Sequence, residues 1–92
     1  MSATIWKYPL RLSELQDIEM PVGAHILHVA EQFGTLCMWA IVDPLAEKRP
    51  RRFAIVGTGH PAPDDVDTIH VGSAVCDGGR FVWHVFERSG NP

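Results

Sequence analysis

Long hydrophobic runs are missing from this chain. No apolar stretch in its 92 residues approaches the roughly 18 of a membrane-spanning helix, so no membrane partner is expected. The start, Met1-Ser2-Ala3-Thr4-Ile5-Trp6, lacks the basic region and apolar stretch of a secretory signal, which points to a cytoplasmic protein. Cysteine is scarce. Cys37 and Cys76 sit singly in apolar stretches with no Cys-x-x-Cys pair, which argues for buried thiols in a reducing compartment and against a structural zinc site. Basic charge is also in short supply, with Lys+Arg 8 against Asp+Glu 11 and a net charge of -3. A generic nucleic-acid binder needs a basic surface to displace counterions from phosphates, so direct nucleic-acid binding is not expected. The one dense basic run, Lys48-Arg49-Pro50-Arg51-Arg52, falls between two predicted strands and reads as a solvated loop. Helical periodicity is absent too. Only Arg11 to Gln16 offers a helical turn, and it is too short to stand alone.

What the chain has instead is alternation and punctuation. Its length suits one domain, residues 1–92, because a second core would need roughly another fifty residues. Thr4 to Leu10 alternates as a strand whose Pro9 cannot donate to a ladder, which marks an end or an edge. Asp17 to Met20 is a short strand stopped by Pro21 and Gly23. Ala24 to Ala30 and Leu36 to Val42 form a hairpin around Glu31-Gln32-Phe33-Gly34-Thr35, and its second strand is apolar on both faces, as a central strand is. Arg52 to Val56, Thr68 to Val75 and Arg80 to Glu87 complete the count, the last two joined by Cys76-Asp77-Gly78-Gly79. About seven short strands without a helix predict an all-β fold, a small antiparallel sandwich or partly open barrel. Trp6, Trp39, Phe53, Phe81, Trp83 and Phe86 are expected to carry much of the core, with Trp39 and Trp83 largely buried. Edge strands have little protection beyond Pro9, which favours homo-oligomers.

The sharpest local feature is Gly57-Thr58-Gly59-His60-Pro61-Ala62-Pro63-Asp64-Asp65. Two glycines after a strand let the backbone approach something closely, and two prolines stiffen the path beyond His60. A histidine and two carboxylates then share one loop. Gly57, Thr58, Gly59, His60, Asp64 and Asp65 are therefore the candidate ligand- or partner-binding residues; the bland alternative is a rigid connection in which the aspartates cap a turn. No helix start follows the Gly-Thr-Gly element, which excludes a dinucleotide fingerprint. His25 and His28, three apart on a strand, should face opposite ways unless a bulge intervenes. His84 reads as a satisfied sheet histidine. No serine sits in a nucleophile-elbow context, so no nucleophile, catalytic residue, metal or cofactor is assigned.

Several segments carry a resemblance: Ile5-Trp6-Lys7-Tyr8-Pro9-Leu10, Trp39-Ala40-Ile41-Val42-Asp43-Pro44, Val56-Gly57-Thr58-Gly59-His60-Pro61 and His84-Val85-Phe86-Glu87. Together they resemble a family of small bacteriophage and prophage proteins, a domain of unknown function. The resemblance implies a compact viral accessory protein acting in the host bacterial cytoplasm, and it lends no catalytic residue. Three functions are then in view. The first is a non-enzymatic binding or inhibitor module against a host defence or regulatory protein, acting through aromatic and arginine anchors. The second is a binder that sequesters a nucleotide-like small molecule, with His60 and a nearby tryptophan in the pocket. The third, ranked last, is a hydrolase or lyase using His60 with Asp64 or Asp65.

Overall fold

The computed structural model describes residues 3–64 and 67–88. Among these lie seven strands: β1 (Thr4–Pro9), β2 (Gln16–Pro21), β3 (His25–Gln32), β4 (Thr35–Val42), β5 (Lys48–Gly57), β6 (Thr68–Cys76) and β7 (Phe81–Arg88), with a single 3₁₀ turn at Asp77–Gly79. They form two antiparallel sheets, ordered β1-β4-β3 and β2-β5-β7-β6, which are not closed into a barrel. The all-β sandwich is as expected. So are β4's central place and β1's place at an edge, with Pro9 as its last residue.

Alternation sorts the side chains. From β4, Leu36, Met38, Ala40 and Val42 point inward and meet Met20, Phe53, Ile55 and Val85 of the other sheet. Phe53, Met20, Met38 and Val85 are fully buried, so the centre is filled by flexible methionines and one phenylalanine rather than by tryptophans. Trp39 and Trp83 are only half-buried, and Phe81 is 49% exposed. Neither tryptophan is fully buried: Trp39 stands on the outer face of β4 beside His28, with ring centroids 6.0 Å apart, and Trp83, near the start of β7, packs against the core and stacks on Phe81.

The basic run is no loop. Lys48 to Arg52 forms the first half of β5 and pairs with β2 from Pro21 to Asp17. Four of its charges have partners that make a strand the better state. Lys48 Nζ lies 5.6 Å from the Trp6 ring centroid, Arg49 pairs with Glu47, and Arg52 makes two hydrogen bonds to Asp17. Arg51 points inward. Its Nε and Nη2 donate to Glu87 at 2.6 and 2.8 Å, and its Nη1 donates to the Ala24 carbonyl at 2.7 Å. The Glu87 hydrogen bonds hold the guanidinium proton more tightly than usual, against the opposing cost of burial.

The sheets touch along β3 and β6, and both strands are bulged there. In β3 the register runs from Ile26↔Ala40 to His28↔Trp39, so Leu27 is the extra residue. His25 and His28 therefore oppose Ile41 and Trp39 on one face, and the expectation of opposite faces holds only for an unbulged strand. In β6 the shift falls between His70 and Gly72. A Cβ on Gly72 would lie 2.9 Å from Val29 Cγ2 and 3.1 Å from its Cβ. Close approach of the two strands requires glycine at that point.

Two stability outcomes follow. Gly72→Ala should cost about 1–3 kcal/mol by overpacking, and in a Val29→Ala background its cost should shrink, as a double-mutant cycle in urea would show. Glu87→Ala should cost about 2–3 kcal/mol, because Arg51 keeps its half-buried charge and loses both carboxylate bonds. Chemical denaturation of the two chains measures this.

Candidate functional site

The longest connection in the fold runs from β5 to β6. These strands lie on either side of β7 and run parallel to each other, so the connection must travel back along the sheet. It begins with the predicted Gly-Thr-Gly-His element. The Thr58 and His60 N–H groups donate to the carbonyls of Val82 at 3.2 Å and Gly57 at 3.1 Å. Gly59 takes φ +95, in the left-handed region that favours glycine. Gly57 is needed for a different reason. A Cβ there would lie 3.0 Å from Trp83 Cζ3 and 3.2 Å from His60 Cδ2. The indole and the imidazole close over its bare Cα.

Beside this turn is a groove of about 610 Å³. Its floor is β5 from Ala54 to Gly57, one wall is His60 to Pro63, the other is Leu12 to Leu15, and Trp83 and Arg88 also line it. The groove exists because β2 stops pairing with β5 at Gln16↔Phe53. Upstream, the buried Gln16 amide ties off the chain: Arg11 N–H donates to its Oε1 at 3.1 Å, and its Nε2 donates to the Arg11 carbonyl at 2.7 Å and to Ser13 Oγ at 3.2 Å. Leu12 (60%) and Leu15 (42%) are thereby left exposed beside β5 rather than paired with it. In an antiparallel strand, N–H and C=O of one residue point to the same side and neighbours alternate. Thr58 N–H reaches β7, so Ala54 and Val56 also address β7, and the Ile55 N–H and C=O and the Gly57 N–H address the open edge.

Of the six residues singled out above, Gly57 and His60 line this groove. Thr58 and Gly59 shape its end. Asp64 is exposed and outside the lining; among the described residues it makes no hydrogen bond or ion pair with His60. Asp65 lies outside the described residues.

Thr58 leads to a constellation the alternation pattern hides. Its Oγ1 is 2.8 Å from His84 Nε2, His84 Nδ1 is 2.7 Å from Ser73 Oγ, and Ser73 Oγ is 2.9 Å from His70 Nε2. These four side chains share the outer face of the four-stranded sheet. Ser73 stands directly opposite His84. His70, three residues earlier, would face the other way in a regular strand; the bulge turns it back. The His70 ring also meets Phe86 edge-on, with centroids 5.3 Å apart. A glycine inside a predicted strand, Gly72, is the signal that could have disclosed the bulge. The cysteines are less suited to chemistry. Burial, helped by the Glu31 carboxylate, pushes the Cys76 thiol up, away from the reactive thiolate. Among the described residues no group of three or more His, Cys, Asp or Glu side chains is placed to hold a metal ion, and no helix is long and apolar enough to cross a membrane.

No curated protein and no solved structure matches the chain. One family model does, over residues 1–92, and its description, a domain of unknown function, carries no statement about origin or activity. With the whole length matched, the chain belongs to the DUF7352 family.

Proposed function

We propose that the protein is a binding module that captures an extended segment of a partner protein along the open edge of β5. The carrying observation is the direction of the Ile55 N–H and C=O and of the Gly57 N–H, which address a groove where β2 has stopped pairing, while the Gly57 carbonyl is held by His60 N–H. An added strand offers matching N–H and C=O groups, and the leucine, proline and tryptophan walls supply shallow apolar seats for alternate side chains. A nucleotide fits this site less well. The basic run is consumed by Trp6, Glu47, Glu87 and Asp17, and the groove walls are mostly apolar. That the partner is a bacterial host component, and the setting a phage-infected cytoplasm, rests on the family resemblance alone. A second copy of the chain at the same edge would satisfy the expected homo-oligomer.

The test begins with nine-residue peptides selected from a displayed random library against the immobilised protein. Bound peptide should slow hydrogen exchange at the Ile55 and Gly57 amides. Leu12→Lys with Leu15→Lys, at two exposed wall positions, should weaken binding about tenfold or more, which corresponds to about 1.4 kcal/mol, with the fold intact by circular dichroism. Peptides that protect other amides, or a melting-temperature rise only with nucleotides, would overturn the strand-addition reading. Light scattering that shows a dimer dissociated by the same lysines would identify the occupant as a second copy.

A further inference from the structure

We propose that Ser73 is a reactive nucleophile toward small activated acyl esters, with His84 as its general base. This inference is independent of the groove, because it stands on the outer-face constellation alone. Ser73 Oγ lies within hydrogen-bond reach of two imidazole nitrogens, His84 Nδ1 at 2.7 Å and His70 Nε2 at 2.9 Å. One ring must accept the hydroxyl proton while the other donates to the oxygen.

In the proposed state the chain of bonds runs toward the Val82 carbonyl. Thr58 Oγ1 donates to it at 3.5 Å, which leaves the Thr58 oxygen to accept from His84 Nε2–H at 2.8 Å. The proposed tautomer has the His84 proton on Nε2, which leaves Nδ1 with its lone pair toward the Ser73 hydroxyl. His70 Nε2–H then donates to Ser73 Oγ. Every donor and acceptor in the series His70, Ser73, His84, Thr58 is used once. The arrangement is that of a nucleophile, a base within reach, and a third group that orients the base. The backbone is deformed to make it: the bulge that brings His70 and Ser73 to one face lies between those two residues, and bulges next to active sites re-aim side chains in this way.

The step balances without a further reactant. Ser73 Oγ attacks the carbonyl carbon of an ester, forming the C–O bond as its proton passes to His84 Nδ1. The tetrahedral adduct then expels the alcohol, the carbonyl–O bond to that alcohol breaks, and the leaving oxygen takes the proton back from His84 Nδ1. Acyl-Ser73, a free alcohol and a neutral His84 remain. Ser73 and His70 are exposed on an open sheet face, which suits a small acyl donor. Thr58 is a positioning residue in this scheme.

The experiment treats the intact protein with p-nitrophenyl acetate and maps acetylation by peptide mass spectrometry. Ser73 should be acetylated about tenfold or more faster than Ser13. His84→Gln, which keeps a hydrogen-bonding side chain for Thr58 but cannot take a proton, should slow Ser73 labelling by about a hundredfold. Thr58→Val should slow it as well, and Thr58→Ser should restore it. Thermal melts establish that each variant is folded, and His84→Asn replaces His84→Gln if the latter is not. Labelling of Ser73 no faster than Ser13, or equal labelling of Ser73 in the folded His84 variant, would overturn the proposal.

Discussion

The ion pair between Arg51 and Glu87 is the point on which the two sheets depend. It joins β5 to β7, the two inner strands of the four-stranded sheet, and through the Ala24 carbonyl it also anchors the lead-in to β3 of the opposite sheet. An arginine suits this place because its flat fork can satisfy a carboxylate with two N–H groups and still spare a third for a carbonyl. Beside it, Phe53 and Val85, with Met20 of the same sheet, pack against Met38 of the opposite sheet. A charge at the margin of a core is tolerable only when every bond is made.

Alternation and turn residues made the seven strands, the two hairpins, the central place of β4 and the edge at Pro9 legible from the sequence. Those features depend on neighbours in the chain. The basic run was misread for the opposite reason. Lys48 to Arg52 looks solvated until Asp17, Glu47, Glu87 and Trp6 are brought beside it, and three of those four partners are remote in sequence. Size alone does not pick out the centre: the tryptophans are partly buried around it, and methionines, which adapt to irregular space, fill it. Of the candidate site, the backbone demands at Gly57 and Gly59 could be read, since glycine acts locally. The Ser73 constellation could not, because one extra residue in β6 inverts the rule by which faces are assigned.

Both of the features with chemical potential lie on the four-stranded sheet, and both depend on Thr58. Its backbone N–H closes the end of β5 against Val82 and thereby determines which backbone groups face the groove. Its hydroxyl meets His84 Nε2 at 2.8 Å. A change at this one position would therefore be felt at an edge that reads backbone and at a face that holds a serine between two imidazoles. The three-stranded sheet bears no comparable network, although its own bulge places His25 and His28 on a shared face beside Trp39.

The strand order has a consequence for how the chain comes into being. β7 is made after every other strand, yet it lies between β5 and β6 and supplies Glu87 to Arg51. Until it emerges from the ribosome, β5 has only β2 to pair with, and β6 has no hydrogen-bonded neighbour at all. The three-stranded sheet is complete much earlier, at Val42. Synthesis thus leaves half the sandwich waiting with unpaired edges while all strands of the other half are already present, and the pairing of β7 with β5 closes the long β5-to-β6 connection. In that interval β2 can cover the charged first half of β5 but not its apolar second half, Ala54 to Gly57, whose edges stay open until β7 arrives.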